Sequence, residues 1–185
     1  MEFSLYYRGP LRANADATEK HRLRKLFHQQ LKVLWSQPPL DDEHDLLNPI
    51  HGPKNTCILK SLGAFQFAPL ITEPLFLVGE LEITMLRPQP PGSIVTRGGD
   101  IDNRLKTLLD ALSMPPEVGA LPDGVEPDPE ESPFFCLLED DKLLTRVSVA
   151  TDRLLDTVAD TTEVVLLIRA RTRGISATWA NLSML

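Results

Sequence analysis

The stretch Gly98-Gly99-Asp100-Ile101-Asp102-Asn103-Arg104-Leu105-Lys106-Thr107-Leu108-Leu109-Asp110-Ala111-Leu112 holds the residue types and spacings best suited to chemistry. On a helix over Asp102–Ser113, Leu105, Leu108, Leu109 and Leu112 follow the i, i+3, i+4, i+7 spacing of a core-facing stripe. Asp102, Lys106 and Asp110 stand at i, i+4 and i+8 on a different face. Asp100 precedes the helix by two residues, so an extended entry points Asp100 and Asp102 the same way. Carboxylates held that close repel each other unless a proton or a cation lies between them. Hard divalent ions such as Mg²⁺ prefer carboxylate oxygens and keep waters for phosphate substrates. A protonated lysine one turn on cannot ligate the ion, but it can stabilise a phosphate or an oxyanion. A second acidic run, Glu139-Asp140-Asp141, could add a ligand from the opposite side. The plainer alternative is a helix capped by Asp102 with Lys106–Asp110 as a surface ion pair worth about 0.3–0.5 kcal/mol.

Other metal and phosphate motifs do not fit. An EF-hand loop would put its glycine on Leu105 and its fifth-position ligand on Arg104. A Walker A loop and a recognisable Ser or His nucleophile motif are missing from the sequence. His44 and His51 match no metal-ligand spacing.

These residues sit in a chain of 185 residues with 19 basic and 26 acidic side chains and a net charge of −7. That length fits one domain, 1–185. The pI near 5.1 argues against a generic polybasic nucleic-acid binder. The charge is unevenly spread, however. Residues 114–141 carry nine acids and no base, and the remainder carries 17 acids against 19 bases. Cys57 and Cys136 are too few for a disulfide framework and suit a reducing compartment. The N-terminus lacks the basic start and apolar run of a secretory signal, and no run approaches the ~20 apolar residues of a membrane span. A cytoplasmic protein without a membrane partner is the expectation.

The elements that must position the acids follow from periodicity. Phe3–Tyr7 fits a strand ended by Arg8-Gly9-Pro10. Asp16–Trp35 fits a first helix, capped by Asp16 or Thr18, with Lys20, Arg22, Arg24, Lys25 and Lys32 on its polar face. That face is either solvated or turned toward phosphates. Residues 37–53 have loop composition, and 56–72 fit a strand pair around Gly63. Leu75–Leu86 is the clearest strand, with Glu80 and Glu82 on one face. Residues 88–99 fit a loop, and Phe134–Leu138, Leu143–Ala150 and Val164–Arg171 fit strands, the last of them central. The order gives an α+β single domain, a mixed sheet with two main helices. A Pro-rich acidic insertion at about 114–133 fits a surface loop, a flap that mimics or repels phosphate, or a partner contact.

The run Asp100-x-Asp102-Asn103-x-x-Lys106-x-x-x-Asp110-x-Leu112, followed by Asp140-Asp141 and a β-rich stretch, resembles the RusA family of Holliday junction resolvases. The strong match covers roughly Arg97 to Ala150, and Phe3–Trp35 is similar to the family's opening strand, turn and helix. The resemblance implies a RusA-like fold and a homodimeric, Mg²⁺-dependent endonuclease of recombination and repair that cuts four-way DNA junctions, with Mn²⁺ as a possible substitute. It implies Asp100, Asp102 and Asp141 as metal ligands and catalytic acids, and Lys106 as the essential lysine. Arg97 is the nearest match to the basic residue that family members carry before the first aspartate. Together with Arg104 and Lys106 it forms the candidate nucleic-acid contacts. Family members reach the Asp-Asp pair after a short loop, whereas here the segment from Ser113 to Glu139 intervenes. Two other functions remain open on the same residues. One is a non-catalytic module that binds branched DNA or a protein. The other is a defence or toxin nuclease acting on another nucleic acid.

Overall fold

The computed structural model describes residues 1–48, 56–89, 101–157 and 160–185. Seven strands and two helices follow in the order β1 (Glu2–Pro10), α1 (Ala17–Trp35), β2 (Lys60–Leu62), β3 (Phe65–Ile71), β4 (Leu77–Arg87), α2 (Ile101–Leu112), β5 (Phe134–Leu138), β6 (Leu144–Arg153) and β7 (Glu163–Gly174). The α+β class with two main helices is as expected. The strands divide into two sheets, one of four strands in the order β1-β7-β4-β6 and one of three in the order β2-β3-β5. The larger sheet is mixed, because β7 runs antiparallel to both β1 and β4 while β6 runs parallel to β4. β7 is an inner strand, as its continuous apolar run predicts.

Alternation decides which side of the larger sheet is buried. Leu81, Ile83 and Met85 of β4, Leu166, Ile168 and Ala170 of β7, and Leu5 and Tyr7 of β1 all enter the core. Glu82, Thr84, Leu167, Arg169 and Tyr6, one residue out of phase, face away. The buried side meets α1 through Leu23, Phe27, Leu31 and Trp35, spaced four residues apart. Asp16 caps α1 by accepting from the Glu19 N–H at 2.8 Å. A smaller cluster of Phe65, Phe67, Phe134, Cys136 and Leu121 lies on the second sheet. Two glycines are required by geometry. Gly63 takes φ +58° in the turn joining β2 to β3, and Gly79 lies at a register shift between β4 and β6, where a Cβ would meet Ile71 Cδ1 at 2.7 Å.

Two expectations need adjustment. The buried face of α2 is rotated from the leucine stripe, so that Arg104, Thr107, Leu108, Ala111 and Leu112 point inward while Leu105 and Leu109 are half-buried. The acidic insertion is also more than a surface loop. It forms short 3₁₀ turns at Val118–Ala120 and Pro129–Glu131, buries Leu121 in the second cluster and buries Glu131 against α1.

Candidate active site

The C-terminal end of α2 meets the C-terminal end of β5. Ser113 forms a parallel bridge with Leu138, and the Met114 N–H donates to the Leu138 carbonyl at 2.9 Å. This junction brings the last turn of α2 and the Glu139-Asp140-Asp141 run to one cleft of about 330 Å³, whose lining includes Lys20, Arg24, Asp110, Glu139, Asp140 and Asp141. Asp110 thus joins the Asp140-Asp141 turn. Asp102 lies two turns earlier on α2, about 12 Å along the helix at 1.5 Å per residue, and is not among the cleft residues.

Most charges of the cleft are already partnered. Lys20 Nζ lies 2.7 Å from an Asp110 carboxylate oxygen. Arg24, 2% exposed, donates from Nε to the Ser113 carbonyl at 3.0 Å and from a terminal nitrogen to the Asp110 carbonyl at 2.9 Å. It thereby caps the end of α2 with a cation where the helix dipole is negative. Burial pulls the Arg24 pKa down to about 10. Glu139 accepts from Lys60 at 2.8 Å, from the Glu73 N–H at 3.1 Å and from Thr72 Oγ1. Burial pushes the Glu139 carboxyl up, but these donors outweigh it and hold its pKa below the ordinary value. Asp140 caps the turn Asp141–Leu143 by accepting from the Lys142 N–H at 2.9 Å.

Asp141 and Lys106 differ from these residues. Both are exposed, and neither side chain makes a hydrogen bond or ion pair with the described residues. They are the two uncommitted charges among the expected catalytic residues that the structure describes. Asp102 is exposed in the first turn of α2. Asp100 and Arg97 lie outside the described residues. Among the described residues, no three His, Cys, Asp or Glu side chains stand close enough to hold an ion together. Asp110 and Asp141, which share the cleft, offer carboxylate oxygens of the kind a hard divalent cation takes.

Arg104 requires a correction. It is 3% exposed, on the inward face of α2, and burial lowers its pKa. Its guanidinium therefore cannot meet a phosphate at the surface. The basic residues of α1 make contacts within the molecule, although Arg22 remains exposed. Lys20 and Arg24 serve the cleft, and Arg22 donates to the Tyr7 hydroxyl at 3.2 Å. Lys25 pairs with Asp128 at 3.0 Å and Glu131 at 2.8 Å, and Lys32 pairs with Glu130. His28 joins this contact. Its Nδ1 accepts from the Phe135 N–H at 2.8 Å, so its Nε2 donates to the Glu130 carbonyl at 3.2 Å. The acidic insertion is thus a strap across α1, with Asp128, Glu130 and Glu131 paired to its lysines.

Sequence reasoning did not single out Lys20, Arg24 or Asp110 as residues of this cleft. Lys20 and Arg24 share the i, i+4 spacing of one helix face, but nothing local indicates that this face meets the end of α2. Compared with protein-family models, with curated proteins and with solved structures, the chain finds no match.

Proposed function

We propose that this protein is a metal-dependent endonuclease that hydrolyses phosphodiester bonds in branched DNA, as its resemblance to the RusA-type resolvases implies. The observation that carries the reading is the shared cleft: the Asp-x-Asp-Asn helix and the Asp140-Asp141 turn, 28 or more residues apart in sequence, border one opening through Asp110 and Asp141. Asp100, Asp102 and Asp141 are the ligands that the resemblance implies; of these only Asp141 lines the cleft, where Asp110 pairs with Lys20. When bound, Mg²⁺ would neutralise charge on the scissile phosphate and lower the pKa of a water. Lys106, uncommitted and one turn from both Asp102 and Asp110, donates to the oxygen on which charge develops. Arg97 and Lys106 are the proposed DNA contacts that remain once Arg104 is set aside. A homodimer would offer two such sites to opposed strands.

The test is Mg²⁺- and Mn²⁺-dependent cleavage of four-way, flap and duplex DNA by the full chain, with D102N, D141N and K106M as controls. Cleavage is expected to fall roughly 100-fold or more in each variant, the scale of losing one charge-stabilising group at a reacting centre. No cleavage of any substrate, or equal cleavage by the variants, overturns the proposal.

A further inference from the structure

Residues 175–185 follow β7 and contain no charged side chain. They are held in place by Asn181, which has no exposed surface. Its Nδ2 donates to the Leu75 carbonyl at 2.7 Å and to the Ser176 carbonyl at 2.8 Å, and its Oδ1 accepts from the Thr178 N–H at 2.8 Å. Ala180 and Met184 are buried on the same segment. The large apolar side chains between these anchors nevertheless point outward. Trp179 is 83% exposed and Leu182 58% exposed, and the two line a shallow groove of about 230 Å³. Exposed Ile175 and Phe76 adjoin each other on this segment's approach, where the Ile175 N–H donates to the Phe76 carbonyl at 2.8 Å. The turn at residues 40–48 adjoins Leu182, since Ser183 Oγ donates to Glu43 at 2.7 Å. That turn carries Asp41, Asp42 and Asp45 and no lysine or arginine, and these three carboxylates form no ion pair with the described residues.

An exposed tryptophan and leucine on an anchored segment make a preorganised apolar contact of the kind around which interface energy concentrates. The neighbouring carboxylates select the occupant by charge. They repel anionic lipid headgroups and nucleic-acid phosphates. A symmetric contact between two copies of this face leaves the aspartates without a basic partner, because residues 40–48 and 175–185 carry no lysine or arginine. We propose that this surface docks a basic amphipathic segment of another protein. A large apolar side chain of that segment enters the groove at Trp179 and Leu182, and its Lys or Arg side chains meet Asp41, Asp42 and Asp45. The aspartates stand at the rim, where charge steers the encounter and sets specificity while the apolar contact supplies most of the hold. None of these residues lines the cleft of Asp110 and Asp141, and the surface does not depend on the nuclease reading.

The experiment titrates the full chain with an amphipathic peptide of lysine and leucine at helical spacing and follows tryptophan emission. Trp35 is buried, so a change reports Trp179. Saturable binding with a blue shift is expected, weakening as salt rises. W179S/L182S and, separately, D41N/D42N/D45N are each expected to weaken binding roughly tenfold or more, read by fluorescence anisotropy of the labelled peptide. None of the five side chains is buried, so both variants keep the fold, which circular dichroism checks. Peptides with glutamate in place of lysine, or serine in place of leucine, are expected to bind at least about tenfold more weakly. An unshifted Trp179 emission overturns the proposal. So does binding that either variant leaves unchanged, equal binding of either control peptide, or an equal shift with vesicles of anionic phospholipid. A wild type that sediments as a dimer and falls to 20.6 kDa in W179S/L182S also overturns it, since a second copy then covers the face.

Discussion

His21 supplies a pH dependence whose size follows from its surroundings. It lies on α1 with 4% of its surface exposed, edge-on to Phe65 at a ring separation of 5.5 Å and beside Phe134 at 5.8 Å. Neither ring nitrogen has a hydrogen-bond partner. Burial, reinforced by the positive charges of Arg24 and Lys25, pulls its pKa from 6.5 down to about 4. The folded-state pKa lies below the unfolded one, so the unfolded chain takes up a proton first as pH falls. The stability contributed by the neutral ring is complete above pH 6.5 and is lost between pH 6.5 and 4. Linkage converts this shift to a loss of about 2 kcal/mol by pH 5 and about 3 kcal/mol by pH 4. H21L removes the titrating group and leaves an apolar side chain among apolar neighbours. Its unfolding free energy at pH 7.5 is expected within about 1.5 kcal/mol of wild type, since a buried polar ring without partners is itself unfavourable. Urea unfolding of both proteins from pH 7.5 to 4 isolates the effect, because the carboxylates and His28 titrate alike in each. Parallel curves for H21L and wild type would refute the reasoning.

Arg24 and the strap give further tests. R24M removes two charged donors from the carbonyls of Asp110 and Ser113 at the end of α2, and is expected to cost about 2–4 kcal/mol in urea unfolding. The same variant should impair cleavage if the position of Asp110 matters to it. D128N/E130Q removes carboxylates that pair with Lys25 and Lys32 from largely exposed positions, so the stability change should stay under about 1 kcal/mol. If the strap competes with a phosphate backbone, this variant binds branched DNA more tightly in fluorescence anisotropy, with a steeper salt dependence, as Lys32 loses its carboxylate partner and Lys25 keeps only Glu131. Unchanged affinity and salt slope would refute that role.

Local pattern predicted much of this molecule. Asp16 as the cap of α1, the turn at Gly63 and the strands at Phe134–Leu138 and Val164–Arg171 were readable because each depends on side chains within one or two turns of each other. The inward turn of Arg104 was not readable. A charged residue beside a leucine stripe is ordinarily solvated, and only the approach of the surrounding elements to α2 decided that its face would be buried.

The sequence by itself determined that charge would be concentrated, with a helix carrying Asp102, Lys106 and Asp110 and an acidic insertion opposed to a basic first helix. It did so because residue type and helical period are local properties. The tertiary structure decided which charges remain available. Packing laid the insertion across Lys25 and Lys32, turned Lys20 and Arg24 toward the end of α2, and left Lys106 and Asp141 uncommitted. Those outcomes depend on distances between segments far apart in the chain, and ion pairing is decided by distance and burial once the chain has folded.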